Sequence, residues 1–359
     1  MKIAMKSGWR RKWISWILIL AAGLLLLTGC EDGTEAGIQE AQKQNPDRPL
    51  IGLVFDSFVI ERWERDRDIF VSMAKELGAD VLVGNANGEA AEQKKILTQM
   101  IDRKVDVLVV IAVDGESLTD EVEKAHRAGI QVICYDRIIS NANADLYITF
   151  DNETVGRYMA ESINGLVPEN GTYMKLKGSP QDHNVEMVNQ GFDDTIREDL
   201  QMIDSMSCSN WNDEEAYEYL TAHPEDLENA DAFMCGNDAI AGQVVRALAE
   251  KRMAGKRVVT GQDADLDACQ RIVEGTQNMT VYKPIEDLAG KAAEYAVAMA
   301  QKDTIQTEKT INDGTYEVPY VSLSPIQVTK DNMDGTIIAK GFHMEEDVYL
   351  HAEHDEAGE

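Results

Sequence analysis

From Pro49 onward, short apolar runs alternate with stretches whose apolar residues recur at helical spacing. Leu50-Ile51-Gly52-Leu53-Val54-Phe55 reads as a buried first strand, and a helix follows from about Arg62 to Leu77, stopped by Gly78. Next come strand Val81-Leu82-Val83, helix Ala90 to Arg103, strand Val107 to Ala112, helix Leu118 to Ala128 stopped by Gly129, and strand Gln131 to Tyr135. The alternation restarts with strand Tyr173 to Leu176, helix Val185 to Glu198, strand Ala232 to Cys235 and helix Ala239 to Lys251. Strand Arg257 to Val259, helix Leu266 to Glu274 and strand Met279 to Tyr282 complete it. Strands that are apolar throughout, separated by amphipathic helices, make an α/β protein whose parallel sheets are covered on both faces. About 270 residues of such units exceed one ordinary doubly wound domain, so two doubly wound lobes are expected.

The ends of the chain read differently. Lys2, Lys6, Arg10, Arg11 and Lys12 precede an apolar run from Ile17 to Leu27, which is signal-peptide length and short for a bilayer span. It runs into Leu27-Thr28-Gly29-Cys30, which resembles the lipobox of bacterial lipoproteins. The resemblance implies a leader over residues 1–29, lipid on Cys30 and an extracytoplasmic protein held at the cell membrane. Residues 30–48 are polar and unpatterned, a flexible tether with a reach of about 20–25 Å by random-coil scaling. Residues 346–359 are acidic and patternless, and a disordered tail is expected there.

Composition narrows the partners. The chain holds 34 Lys and Arg against 64 Asp and Glu, a net charge of −30. Losing a leader with five basic and no acidic residues would take this to −35. Nucleic acid and anionic headgroups would be repelled, whereas a neutral ligand is indifferent to net charge. Cys134, Cys208, Cys235 and Cys269 show no metal-ligand spacing, and Cys134 and Cys235 sit in apolar runs as small hydrophobes. Asp263, Asp265, Asp267 and Glu274 match acidic positions of a calcium loop, but Ala268 stands where glycine is needed and the segment reads as helix. No metal and no cofactor is expected.

In open parallel sheets ligands bind where strands end, so the polar residues after each apolar run are the candidates. These are Asp56, Arg62 and Trp63 after the first strand, and Asp136 and Arg137 after the fourth. The second half offers Asp182 and Asn184, then Asn237-Asp238, Gln262-Asp263 and Lys283. Taken singly, Asn237 or Asp182 is as well explained as a helix cap. Trp63 and Trp211 lie in polar surroundings, either as half-exposed surface aromatics or as flat platforms for the C–H face of a sugar.

These residues carry a resemblance. Phe55-Asp56, Glu61-Arg62-Trp63, Asp66-Arg67-Asp68, Tyr135-Asp136-Arg137, Gly236-Asn237-Asp238-Ala239, Gly261-Gln262-Asp263-Ala264-Asp265 and Tyr282-Lys283-Pro284 look like the xylose-binding proteins of bacterial ABC sugar importers. Those proteins have the type I periplasmic-binding-protein fold, and the match runs in order from about Pro49 to Phe342. The resemblance implies two lobes joined by three crossovers, with 49–153 and 284–323 in the first and 154–283 and 324–345 in the second. It places Arg62, Trp63, Asp136, Arg137, Asp182, Asn184, Trp211, Asn237, Asp263 and Lys283 on a monosaccharide, D-xylose above others. The stretch Leu200 to Asn210 departs most from the family, and His183 sits between two matched positions.

An ABC permease and its ATPase are the partners implied, with a monomer expected. A sensing role through a membrane histidine kinase uses the same site and stays open beside transport. A glycosidase would cast Asp136 and Asp263 as its carboxylates, but Arg137 and Lys283 beside them would remove the proton a general acid needs. A dehydrogenase would need glycines after the first strand, where Phe55-Asp56-Ser57-Phe58 has none. The lac-repressor-type regulators share the fold but carry a DNA-binding head where this chain has its lipobox. No enzyme activity is expected.

Overall fold

The computed structural model describes residues 48–352. The leader, Cys30, the tether up to Asp47 and the last seven residues lie outside the described residues. Among the described residues, no helix is long and apolar enough to cross a membrane.

The first lobe is a seven-stranded sheet. It contains β1 (Leu50–Phe55), β2 (Asp80–Asn85), β3 (Val107–Val110), β4 (Gln131–Tyr135) and β5 (Leu146–Phe150), with helices α1 (Arg62–Glu76), α2 (Ala90–Asp102) and α3 (Thr119–Arg127) between them. All six residues of β1 are buried, because β2 and β3 pair with it in parallel on either side and helices cover both faces. Gly78 and Gly129 take φ of +90° and +78° where α1 and α3 end, a left-handed turn that glycine adopts without penalty.

After β5 the chain passes to the second lobe. There α4 (Asn152–Leu166), β6 (Thr172–Lys177), α5 (His183–Asp193) and β7 (Gln201–Ser207) are followed by α6 (Glu214–Ala222), α7 (Pro224–Asn229) and β8 (Ala232–Cys235). Then come α8 (Asp238–Glu250), β9 (Val258–Thr260), α9 (Leu266–Glu274) and β10 (Thr280–Tyr282). The strand order is β7-β6-β8-β9, and a bridge from Thr260 to Met279 extends it toward β10. Helix α10 (Ile285–Ala300) returns to the first lobe and packs on α1, and the hairpin β11 (Lys309–Asn312) with β12 (Glu317–Leu323) completes that sheet in the order β11-β12-β5-β4-β3-β1-β2. The chain then crosses a third time, to β13 (Ile326–Val328), which pairs antiparallel with β10.

Glycines set the closest helix contact of the second lobe. A Cβ on Gly156 of α4 would fall 1.9 Å from the Val188 carbonyl oxygen, and one on Gly191 of α5 would fall 1.9 Å from that of Glu153. Helix α5 therefore lies flush on α4, and it ends at Asp193, short of the Glu198 expected from periodicity.

The acidic end is also more ordered than its composition suggests. Glu345–Val348 forms α11, whose Val348 is fully buried in a cluster with Phe342, Tyr282 and Ile272. The expectation of a patternless tail over 346–359 is thereby corrected as far as Val348, and residues 353–359 lie outside the described residues. All four described cysteines are buried thiols.

Candidate functional site

The buried stripe of α1 is Arg62, Trp63, Asp66, Phe70 and Ala74. Its apolar end packs on the sheet, while its first turn places charged groups at the carboxyl ends of β1 and β4. Arg62 is 3 % exposed and acts as a hub. Its Nη2 donates to Asp136 Oδ1 at 3.0 Å, its Nε lies 3.3 Å from Asp66 Oδ2, and its Nη1 is 4.0 Å from Asp263 Oδ1 of the second lobe. The guanidinium also lies 4.4 Å above the centre of the Trp63 ring.

Arg137, at the end of β4, is a second hub. Nη1 donates to Asp56 Oδ2 at 2.8 Å and to the Ala112 carbonyl at 3.0 Å, and Nε is 2.7 Å from Asp182 Oδ2 across the cleft. Its planar fork is thus engaged by protein groups of both lobes. Lys283 follows β10 and pairs with Asp263 at 3.2 Å. Arg62, Asp136, Arg137, Asp182, Asp263 and Lys283, with Ile60, Trp63, Asn152, Asn184, Val185, Trp211 and Gln262, line a narrow cavity of about 20 Å³, room for about one water, so the walls nearly meet in this arrangement.

Nine of the ten residues chosen from the sequence line this cavity. The exception is Asn237, whose Oδ1 accepts from the Ile240 backbone N–H at 3.0 Å and caps α8. It faces a different hollow, beside Asp238 and Arg271, so cap chemistry is what the structure assigns to it. Asp182 combines both roles, capping α5 through the Asn184 N–H while facing the cavity. Gln262, Asn152, Val185 and Ile60 are lining residues that the sequence selection left out. Gln262 stood in the same strand-end dipeptide as Asp263, so a signal for it existed; Asn152 and Ile60 had none. His183 lies outside, in a wider hollow of about 570 Å³ that shares only Asp182 and Val185 with the cavity.

Both tryptophans are buried, Trp63 at 1 % and Trp211 at 8 % exposure. The surface-aromatic alternative therefore fails. Their indole N–H groups, with Gln262 Oε1, have no hydrogen-bond partner among the described residues. Buried polar atoms are ordinarily paired, so donors and acceptors left over together around one cavity suit a ligand rich in hydroxyls.

Backbone strain gathers at the same place. Asp136, Trp211 and Asp263 have φ of +63°, +60° and +99°, a region that side-chain-bearing residues seldom occupy and that concentrates at ligand sites. The charges balance as well, with Arg62, Arg137 and Lys283 set against Asp136, Asp182 and Asp263 on the wall. Burial pushes the Asp136 carboxyl up, but Arg62, Lys283 and Arg137 outweigh it and hold the group below the usual carboxylate range. Burial pushes Asp182 up in spite of Arg137. Behind Arg62, burial lifts Asp66 to about 6 against the opposing pull of Arg62 and Tyr135. The result is a neutral, strongly polar pocket with two aromatic walls, one from each lobe.

A fold of two parallel-sheet lobes with its ligand groups at facing strand ends defines a class, and the chain belongs to it. Residues 51–304 match the family described as periplasmic binding protein domain. The chain is 41 % identical over 305 residues to the D-xylose-binding periplasmic protein of Haemophilus influenzae, covering 83 % of this chain and 92 % of that one. It is 40 % identical over 304 residues to the D-xylose-binding periplasmic protein of Escherichia coli, with the same coverage. An ABC transporter solute binding protein from Clostridium phytofermentans with bound β-D-glucose superposes with a TM-score of 0.75 at 25 % identity, over 83 % of this chain and 99 % of that one.

Proposed function

We propose that this chain captures D-xylose between its lobes, 49–153 with 284–323 and 154–283 with 324–345, and delivers it to an ABC importer. The observation that carries the reading is the convergence of nine sequence-matched residues on one cavity that holds both tryptophans. Identity of 40–41 % to xylose-binding proteins supports the choice of sugar. Charged hydrogen-bonding groups contribute roughly 1.5–3 kcal/mol each, and a misplaced hydroxyl would leave one unpaired, so epimers are separated strongly.

The reading includes work outside the cytoplasm, at a membrane to which lipid on Cys30 anchors the chain, with a permease and ATPase as partners. It includes no catalysis. Asp136, held ionised by three cations, has no proton to give a leaving group.

Titration calorimetry against xylose, ribose, arabinose, glucose and galactose tests the assignment. Xylose is expected to bind with micromolar or tighter affinity, about −8 kcal/mol or better. Heat with another sugar and none with xylose would overturn the ligand and leave the fold standing.

The aromatic walls make a second expectation. Trp211→Ala is expected to weaken binding by about 1–3 kcal/mol. Trp63→Ala should do the same, and each variant should also lose about 3–5 kcal/mol of stability, because both rings belong to the main core cluster. Calorimetry together with urea unfolding separates the two effects, and normal binding by Trp211→Ala would remove that ring from the site.

A further inference from the structure

We propose that Asn184, chosen from the sequence as a sugar contact, works chiefly as a latch between the lobes, with Tyr147 as its keeper. This rests on the capture reading above, since a latch matters only if the lobes close on a ligand. Asn184 opens α5 in the second lobe, yet its side chain is spent on groups of the first lobe and of the crossover. Its Oδ1 accepts from the Tyr147 hydroxyl at 2.9 Å and from Asn152 Nδ2 at 2.9 Å. Its Nδ2 donates to the Asp136 backbone carbonyl at 2.8 Å. A primary amide offers two acceptor sites and two donor hydrogens, so three of its four capacities are already used. A single N–H is left to face the cavity or the Asp136 carboxylate, 3.5 Å away.

The placement of these partners gives the latch its meaning. Tyr147 is fully buried in β5 of the first lobe, stacked on Tyr320, with its hydroxyl 3.1 Å from the same Asp136 carbonyl. Asn152 starts α4 at the first crossover. Asp136 itself has the left-handed backbone and carries the carboxylate that faces the cavity. One amide therefore joins the first lobe, a hinge segment and the second lobe beside a strained site residue. It completes its bonds only when the lobes meet, and then it buries them away from competing water. Tyr147 does not line the cavity and acts as a positioning residue.

Tyr147→Phe is the cleanest probe. It keeps the ring, and in the closed form it leaves Asn184 Oδ1 with Asn152 and the Asp136 carbonyl with Asn184, so nothing buried is orphaned. Stopped-flow and calorimetry with the sugar that the panel selects are expected to show Kd raised about 3–10-fold, all of it in the dissociation rate, as for one net hydrogen bond. Unfolding of the sugar-free variant is expected to match the native protein, while the rise in Tm at saturating sugar shrinks. Spin labels at exposed Leu77 and Leu166, one in each lobe, supply a second readout. At saturating sugar the native protein should show one short distance and the variant a residual longer one.

Unchanged dissociation and distances would overturn the latch, and so would a loss of sugar-free stability equal to the loss of affinity. If xylose gives no heat but another sugar does, only the choice of sugar falls, and the latch is read with that sugar. If no sugar gives heat, the capture reading and the latch fall together.

Discussion

Arg62→Met is expected to abolish measurable xylose binding and to lower the unfolding free energy by about 3–5 kcal/mol. The methionine fills similar space, so the loss is one of charge. Asp66 and Asp136 are both buried, and the guanidinium holds both within 3.3 Å while lying on the Trp63 ring. Without it, two carboxylates keep their desolvation penalty and lose their main counter-charge. Urea unfolding and calorimetry read the two effects in one preparation.

A companion variant separates stability from function. Arg62→Met with Asp66→Leu removes a charge of each sign from the buried cluster, and such replacements by well-packed apolar groups are often close to neutral. Stability is expected to recover in the double variant, and binding is not. Recovery of both would mean that Arg62 serves the fold alone. A single variant as stable as the native protein would show that Asp66 and Asp136 are satisfied without it.

Gly178→Ala has the second large effect. Gly178 follows β6, and a Cβ there would lie 2.2 Å from Cη2 of Trp211 and 2.3 Å from its Cζ3. No heavy-atom contact tolerates that, so the indole must leave its position. Affinity is expected to fall about 10–100-fold, while overpacking costs about 1–3 kcal/mol of stability. The decisive comparison is Gly178→Ala combined with Trp211→Ala. If the methyl acts only by moving the ring, the pair binds no worse than Trp211→Ala alone. Additive losses would mean that the glycine shapes the cavity by another route.

The elements that the sequence displayed are those buried on both faces. Strands β1, β3 and β4 are apolar almost throughout because helices cover both sides of the first sheet. Of the elements it passed over, Leu146–Phe150 is a fully buried inner strand whose apolar run was legible, while two others lie at edges. Gln201–Ser207 is a strand of mostly polar residues with none fully buried, and Lys309–Asn312 is half of an exposed hairpin. Their pattern is imposed by a neighbour's free hydrogen-bonding edge, which no local periodicity records.

For the candidate site, the strand-end rule picked out cavity-lining residues because a parallel sheet presents its carboxyl ends to one cleft, so Arg62, Asp136, Asp263 and Lys283 could be taken from the residues after apolar runs. The same rule could not tell Asn237 from Gln262. Each follows a strand of the second lobe, and only the fold turned the first toward the Ile240 N–H and the second toward the cavity. Tyr147 gave no signal at all, since a tyrosine inside an apolar strand reads as packing.

Sequence alone determined the βα alternation, the doubling into two lobes and the set of charged groups at strand ends, because hydrophobic period and strand polarity are local properties. Tertiary structure decided which charges pair across the cleft and which caps also line the cavity. It also buried Trp63 and Trp211 among charged neighbours. The cross-cleft pairs Arg137–Asp182 and Arg62–Asp263 join residues far apart in the chain, and such contacts exist only once two sheets face each other.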